Sequence, residues 1–334
     1  MRISVVCTVL NEAGSLADLL ESLAIQSRAP DDVVIADGGS TDGTLDLLKR
    51  YFHRLPLRVL KAPGANIAQG RNTAIRAAAG EVIAVTDAGV RASPQWLEEL
   101  ASPFVASDVE AVAGFFTADP SSTFEMALGA TVLPLVENIS PERFLPSSRS
   151  VAFRKALWER VGGYPEWLDY CEDLVFDLRI KRLGVTFVWR RNALVFFRPR
   201  PSLGAFFKQY YLYARGDGKA DLWLKRHVIR YGVYLMAAAA FLAGDAYPVL
   251  WAVLGIGSAV YVLRPYQRLL RSWSGMDLRK RLAAIAWVPA IRLTGDVAKM
   301  LGYPVGRWWR YRRQMEGLKA LSWADLDGRP SLDP

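Results

Sequence analysis

The chain has 334 residues, of which 51% are hydrophobic and 22% are charged, and it carries a formal net charge of +9. This length allows one large domain and an accessory region, and the apolar content, with 11 Trp, indicates contact with a membrane. The two cysteines, Cys7 and Cys171, lie far apart and outside any CxxC pair, so they support neither a disulfide framework nor a zinc site and fit a reducing cytosol best.

The first half of the sequence alternates short apolar strands with segments of helical period. The strands are ISVVCTV, DVVIADG, LRVLKA and EVIAVTD, and the helices run from about Ala13 to Gln26, after Gly43, and from about Ile67 to Ala79. This alternation predicts βαβ units and a mostly parallel sheet. EAVAGFF (110–116) and the start of SRSVAFRKALWER (148–160) predict further strands, which extend the α/β region to about residue 200.

Polar residues follow three of these strands, at the edge where open parallel sheets bind ligands. TVLNE (8–12) follows the first strand, DGGSTDGT (37–44) the second and TDAG (86–89) the fourth. Asp37 can accept hydrogen bonds from a ribose or a base, although each of the first two loops, taken alone, also fits a capped turn. Asp87 is expected at the same edge, where one carboxylate beside a diphosphate can hold Mg²⁺ or Mn²⁺, or where it simply forms a turn.

Two further segments carry candidate site residues. GANIAQGRN (64–72) places Arg71 where it can meet a diphosphate or a carboxylate. YCEDLVFDLRIKRLG (170–184) follows a Gly-Gly-Tyr-Pro turn and puts Glu172 and Asp173 at the start of an amphipathic helix.

The spacing after this acidic pair predicts how the helix is held. Phe176, Ile180 and Leu183 lie at helical intervals and are expected to anchor it to the core. That leaves Asp173 to face the crevice, with Cys171 as a small buried residue.

Residues 228–263 are almost wholly apolar, and GDAY divides them into two spans of about 228–244 and 247–263. Each is near the lower limit for crossing a membrane. Basic residues flank the pair and are missing from the GDAY turn, so the positive-inside rule predicts a transmembrane hairpin with both ends in the cytoplasm. A buried helical hairpin of a soluble domain is the alternative.

The sequence therefore predicts four regions. Residues 1–220 form the α/β domain, and 221–278 form the two-helix transmembrane hairpin. Residues 279–316 form an amphipathic helix on the membrane surface, although a third span is an alternative, and 317–334 form a polar tail. The positive charge clusters beside apolar spans and not along an exposed groove, which argues against nucleic acid as a partner.

Taken in order, the motifs TVLNE, DGGSTDGT, GANIAQGRN, TDAG, VGGYPEWLDYCED and QYYLYARG resemble those of the family 2 glycosyltransferases over roughly residues 1–220. The resemblance implies an α/β protein with the GT-A (nucleotide-diphospho-sugar transferase) fold and a mostly parallel central sheet, followed by a C-terminal membrane-associated helical region. It also implies transfer of a sugar, with inversion, from a nucleotide-diphosphate sugar to a hydroxyl of a lipid-linked saccharide. The expected setting is the cytosolic face of the inner membrane, in polysaccharide or glycolipid synthesis, with membrane lipids as partners and no organic cofactor.

The resemblance also assigns roles to single residues. Asp173 would be the catalytic base, and Glu172 would orient it or touch the acceptor. Gln209 and Arg215 loosely resemble a Gln-x-x-Arg-Trp element and would contact the acceptor or the diphosphate, with no processivity implied. The donor site would comprise Thr8, Asn11, Glu12, Asp37, Gly38, Ser40, Arg71 and Asn72.

A divalent metal is expected at Asp87. The family usually has Asp-x-Asp at this place, whereas Gly89 occupies the last position here, so the metal would have fewer protein ligands.

Two other classes of protein have a sequence feature in their favour. A non-catalytic membrane adaptor that binds sugar nucleotides would explain the incomplete Asp-x-Asp, but not the intact Glu172 and Asp173. A sugar-phosphate nucleotidylyltransferase would have a similar sheet, but it should open with a Gly-rich basic loop after the first strand, which VLNEAG is not.

Overall fold

The computed structural model describes residues 1–273 and 275–315, so the predicted polar tail lies outside the described residues. The chain forms two compact units. The first comprises Met1–Thr117 and Val136–Arg198, and the second comprises Ala118–Leu135 and the described residues from Pro199 onward.

The first unit is built on an eight-stranded sheet in the order β3-β2-β1-β4-β7-β6-β8-β5. Its strands are β1 Ile3–Val9, β2 Asp32–Asp37, β3 Leu57–Lys61, β4 Val82–Val85, β5 Val90–Ala92, β6 Ala111–Ala118, β7 Val151–Arg154 and β8 Phe187–Phe197. Its helices are α1 Leu16–Ala24, α2 Thr44–Lys49, α3 Ile67–Ala77, α4 Trp96–Ala101, α6 Lys155–Arg160 and α7 Glu172–Arg182. Short 3₁₀ turns cover Ser102–Val105, Val136–Asn138 and Pro141–Arg143.

The four strands predicted from the apolar runs form the parallel half of the sheet. β1 pairs in parallel with β2 and β4, and β2 pairs in parallel with β3. The other half contains antiparallel pairs, because β7 lies antiparallel to both β4 and β6, and β5 lies antiparallel to β8. The predicted α/β sheet is therefore confirmed, with an antiparallel portion that the strand-helix alternation did not indicate.

Helices cover both faces of the sheet, which explains why the central strands β1, β2 and β4 are mostly apolar. Val5 and Val33 point to one face, toward a core that includes α1 and α4. Val6 and Val34 point to the other face, toward a core that includes α3, α6 and α7.

Two predicted helices are shorter in the structure. α1 begins at Leu16 and not at Ala13, because the chain first forms a turn in which the amide groups of Ser15 and Leu16 both donate to the carbonyl oxygen of Glu12, at 3.0 and 2.9 Å. α3 ends at Ala77, since Ala78 has extended backbone angles.

The second unit consists of five helices: α5 Thr123–Val132, α8 Leu203–Lys219, α9 Leu224–Ala243, α10 Val249–Arg271 and α11 Leu278–Met315. Phe124, Phe206, Leu269, Val288 and Ile291 are among the side chains of its core. α8, which was predicted to belong to the α/β domain, packs closely with α11. A Cβ atom added to Gly302 or Gly306 of α11 would lie within 2.2 Å of a carbonyl oxygen of α8.

Among the described residues, α10 is the one helix with the length and apolar composition of a membrane span, and it covers the second predicted span. α9 covers the first predicted span. Many of their large apolar side chains are exposed, including Leu235, Leu242 and Ile256 at 70%, 83% and 66%. These apolar side chains of α9 and α10 are thus not buried among the described residues, and the transmembrane hairpin stays a prediction.

Candidate active site

The loops that follow β1 and β2 are tied to one another. The amide of Asn11 donates to Ser40 Oγ at 2.9 Å, and the amide of Thr41 donates to Asn11 Oδ1 at 2.8 Å. The amide of Glu12 donates to Thr44 Oγ1 at 2.8 Å. TVLNE and DGGSTDGT thus form one polar surface beyond the carboxyl ends of two adjacent parallel strands, as expected.

Asp37 organises its own loop. It is 3% exposed, and its carboxylate accepts hydrogen bonds from the amides of Gly39 and Ser40, at 3.2 Å each. The capped-turn interpretation therefore describes Asp37 well in this state. The amide of Gly38 donates to the carbonyl oxygen of Val9 at 2.9 Å. Thr8 is half-buried and lies against α3, because a Cβ atom added to Gly70 would be 2.8 Å from the Thr8 methyl group.

Arg71 joins three elements at the centre of the site. It lies on α3 and is 2% exposed. Its Nη2 donates to Asp87 Oδ1 at 2.8 Å, just after β4, and its Nη1 donates to Glu172 at the start of α7. Of the two partners expected for Arg71, a diphosphate or a carboxylate, the structure has carboxylates.

Asp87 has a second cationic neighbour. Arg149 Nε lies 3.6 Å from its Oδ2, and 27% of the Asp87 side chain is exposed. Burial opposes ionisation of Asp87, but the charges of Arg71 and Arg149 outweigh it and hold the pKa of this carboxyl below its usual value. Arg149 belongs to none of the motifs and was not predicted as a site residue.

The donor set around Asp87 fits a metal only in part. No group of three or more His, Cys, Asp and Glu side chains suited to a metal occurs in the part of the chain that the structure describes. One carboxylate can suffice for Mg²⁺ bound with a diphosphate, because that ion takes its other oxygens from phosphate and water. Here two arginines already contact that carboxylate.

The adjacent acids Glu172 and Asp173 have different surroundings. Burial raises the pKa of Glu172 to about 7, although Arg71 favours its ionised form, and the charge of Asp173 raises it further. Asp173 is half-buried, and its Oδ1 accepts a hydrogen bond from the amide of Leu174 at 2.8 Å. Glu172 is therefore fixed by Arg71, while Asp173 keeps a partly accessible carboxylate.

Asn72 holds the turn that leads to α7. Its Nδ2 donates to the carbonyl of Tyr164 and to Glu166 Oε1, and its Oδ1 accepts from the amide of Tyr164 and from Trp158 Nε1, all at 2.8 to 3.1 Å. These four bonds use both ends of the buried amide. Asn72 therefore helps to hold the turn, and its expected contact with a donor stays a prediction.

The anchoring of α7 differs from the prediction at two residues. Phe176 and Ile180 are buried, as expected. Leu183 follows the end of the helix and is 46% exposed, so it is not an anchor. Cys171 is half-buried, and not buried as predicted, with a left-handed backbone (φ 65°) that starts the helix.

One buried acid near the site, Asp177, was not predicted from the sequence. Asp177 lies on α7 one turn after Asp173 and is 2% exposed, and its Oδ2 has no hydrogen-bond partner among the described residues. Burial raises its pKa well above the usual range, and the charge of Asp173 adds to this effect. The four-residue spacing from Asp173 was the available signal, since residues i and i+4 share a helix face.

Gln209 and Arg215 lie on α8, in the second unit. Gln209 Nε2 donates to the hydroxyl of Tyr213 on the same helix at 2.9 Å, and Arg215 is half-buried. Their expected contact with an acceptor or a diphosphate stays a prediction.

Fold and site together define a class. The sheet has a parallel half with carboxylates and capped polar loops beyond its strand ends, which is the arrangement of nucleotide-binding α/β proteins.

Comparison with known proteins places the chain more closely. Residues 4–159 match the glycosyl transferase family 2 model. The chain is 30% identical over 232 residues to the succinoglycan biosynthesis protein ExoA of Rhizobium meliloti, a match that covers 64% of this chain and 68% of that protein. It is 23% identical over 301 residues to the O-antigen chain rhamnosyltransferase WbaN of Salmonella anatum, covering 85% and 82%. The chain thus belongs to glycosyltransferase family 2.

Other matches are shorter or concern the fold alone. An uncharacterized glycosyltransferase of Nostoc sp. is 28% identical over 171 residues, and the match spans about half of that relative, 53%. A mannosyltransferase from Pyrobaculum calidifontis, solved in complex with GDP-Man and Mn²⁺, superposes with a TM-score of 0.53 at 19% identity, covering 94% of this chain and 87% of that one. The GT-A-like fold implied by the motifs is confirmed.

Proposed function

We propose that this protein transfers a sugar, with inversion, from a nucleotide-diphosphate sugar to the hydroxyl of an acceptor, with Asp173 as the base. The observation that carries the proposal is the pair of salt bridges that Arg71 forms with Asp87 and Glu172. It fixes the end of β4, where a diphosphate is expected, to the first turn of α7, where Asp173 lies.

The reaction requires one proton transfer and one exchange of bonds. The acceptor oxygen attacks the anomeric carbon while its proton passes to a carboxylate oxygen of Asp173. The new bond from carbon to oxygen forms on the face opposite the breaking bond to the diphosphate. The nucleoside diphosphate leaves with the bonding electrons and therefore needs nearby positive charge.

We assign donor binding to the polar surface of the first two loops. Asn11 and Ser40 are at least partly exposed there, and Gly38 is half-buried in the same loop as Ser40. Arg149, beside Asp87, adds positive charge near the expected diphosphate.

Asp87 is the residue that would hold a divalent metal. Such a metal, carried in with the diphosphate, would neutralise charge on the leaving group. Nucleotide binding measured with Mn²⁺ and with EDTA tests this role: Asp87→Ala should remove the difference between the two conditions. A wild-type protein that binds the donor equally well in both would contradict it.

For the acceptor, we propose a lipid-linked saccharide at the cytosolic face of the inner membrane. The names of ExoA and WbaN refer to succinoglycan biosynthesis and to an O-antigen chain, which supports a role in polysaccharide synthesis. The exposed apolar residues on α9 and α10 support membrane insertion. Gln209 and Arg215 remain candidates for contact with the acceptor or the diphosphate.

The test is a screen of nucleotide sugars by thermal unfolding of the full chain in neutral detergent. A ligand that binds only the folded state stabilises it by about 2.7 kcal/mol at a concentration 100-fold above its Kd. The proposal predicts that at least one nucleotide sugar raises the Tm and that the free sugar does not. If no nucleotide sugar in a broad panel shifts the Tm, the proposal that the protein binds such a donor is wrong.

A non-catalytic adaptor remains the second candidate, because the arginines contact the single carboxylate of TDAG. It predicts the same rise in Tm with no sugar transfer. A turnover assay with the nucleotide sugar so identified separates the two.

A further inference from the structure

The helices of the second unit carry basic side chains other than Arg215, which is the one assigned to sugar transfer. We call them the cationic cluster: Arg230 on α9, Arg264 and Arg268 on α10, and Arg292 and Lys299 on α11. Asp296 is its acidic partner. Arg230 Nε donates to Asp296 Oδ1 at 2.9 Å, and Lys299 Nζ lies 3.7 Å from the same oxygen.

The second oxygen of Asp296 is also occupied. The hydroxyl of Tyr261 donates to Oδ2 at 2.6 Å, and the hydroxyl of Tyr234 donates to it at 3.3 Å. Asp296 therefore orders one side of the cluster, and it contributes a single negative charge.

Three arginines are left without a carboxylate. Within residues 1–273 and 275–315, Arg264, Arg268 and Arg292 form no ion pair, and Arg292 Nε is buried without a hydrogen-bond partner. The guanidinium carbon of Arg292 lies 4.2 Å from the centre of the Tyr261 ring. Arg264 and Arg292 are close enough for their charges to repel that of Arg268. Arg268 and Arg292 are half-buried, and like charges held together in such positions cost free energy unless an anion joins them.

The cluster begins where the exposed apolar part of α10 ends. Val253, Ile256, Val260 and Leu263 are each more than half exposed, and Arg264 follows at once. In a membrane-inserted helix, a change from apolar to basic residues marks the level of the headgroups, where phosphates lie. A guanidinium group can donate two parallel hydrogen bonds to the oxygens of one phosphate.

We propose that the cationic cluster is a binding site for the phosphate groups of an amphiphile at the membrane surface. Two sources share this chemistry: an anionic phospholipid of the bilayer and the diphosphate of a lipid-linked acceptor. The second source rests on the proposed function, whereas the first does not.

The test measures lipid affinity with the full chain in neutral detergent micelles. Phosphatidylglycerol is titrated in one arm and a long-chain prenyl diphosphate in the other. The double variant R268Q/R292Q removes two charges from the cluster. R279Q/R312Q is the matched control, because it removes two charges from exposed positions outside it.

Wild type should bind at least one of the two lipids, and R268Q/R292Q should weaken that binding about tenfold more than R279Q/R312Q does. Loss in the phosphatidylglycerol arm assigns the site to bilayer lipid, and loss confined to the diphosphate arm assigns it to the acceptor. Equal weakening by both double variants, or no binding by wild type, overturns the proposal.

Two measurements keep the result interpretable. R268Q alone should weaken binding as well, and it removes no hydrogen bond to another described residue, so it decides the matter if the double variant misfolds. The rise in Tm with a nucleotide sugar should be unchanged in R268Q/R292Q. A wild type that lacks this rise would contradict sugar transfer without affecting the lipid site.

Discussion

Arg71 is the residue on which the site depends most. Its guanidinium is buried between two carboxylates that come from separate parts of the chain, Asp87 and Glu172. Removing one partner of a buried pair leaves an uncompensated charge, which is far more costly than losing an exposed pair.

Replacing Arg71 by Met should therefore lower the free energy of unfolding by about 3 to 5 kcal/mol. Chemical denaturation of the full chain in detergent measures the change. Arg54→Met, which removes the exposed pair with Glu21, is the control and should change stability much less. A similar small loss in both variants would show that the pair does not hold the site together.

Asp177 gives a prediction about pH. Its pKa is raised in the folded state, so the fold binds a proton that the unfolded chain releases above pH about 4. The fold therefore loses stability as the pH rises from the unfolded pKa of Asp177, about 4, toward its higher folded pKa. Asp173, Lys181 and Arg71 are the charged groups that act on it.

Asp177→Asn should remove that loss. Relative to wild type, its Tm should be higher near pH 8 and nearly equal near pH 4, as measured by thermal unfolding in matched buffers. A variant that is destabilised equally at both values would mean that Asp177 is ionised and bonded in the fold.

At the scale of elements, the turn before α7 sets the direction of the acidic helix. Gly162 and Gly163 both have left-handed backbones, with φ of 76° and 70°. A Cβ atom on Gly163 would lie 2.9 Å from Asn72 Oδ1, whereas one on Gly162 would meet nothing within 4 Å. A side chain at Gly162 would therefore strain the backbone only, whereas one at Gly163 would strain the backbone and also clash with Asn72.

Gly162→Ala should cost about 1 kcal/mol, the usual penalty for a left-handed residue with a side chain. Gly163→Ala should cost more, because the hydrogen bonds of Asn72 must also shift. Unfolding free energies of the two variants test this order. If Gly162→Ala is equally or more destabilising, the contact with Asn72 has little importance.

The elements also show what the sequence determines. The apolar runs ISVVCTV and DVVIADG predicted parallel strands correctly, because a strand that is buried on both faces has a nearly continuous apolar sequence. The place of β7 between β4 and β6 depends on pairing between distant segments, which no local pattern records.

The candidate site was predictable to a similar extent. Strand-end positions brought Asn11 and Ser40 together as expected, since adjacent parallel strands end at one edge. The bonds of Arg71 to Glu172 and of Asn72 to Tyr164 were not foreseen, because they join segments about a hundred residues apart through side-chain packing.

For the whole molecule, the C-terminal helices predict how the protein associates with membranes. Residues such as Leu235, Leu242 and Ile256 expose large apolar surfaces on α9 and α10. Salt screens charges but does not weaken apolar burial. The full chain should therefore stay with the membrane fraction after a high-salt wash and leave it only in detergent. Release by salt alone would point to electrostatic attachment through basic residues.

The central claim is that Asp173 accepts the proton of the acceptor hydroxyl. The most direct measurement compares sugar transfer and nucleotide-sugar affinity in wild type and Asp173→Asn, which keeps the size of the side chain and removes the base. We expect turnover to fall at least 100-fold while the affinity for the nucleotide sugar stays nearly unchanged. Substantial turnover in Asp173→Asn would contradict the claim.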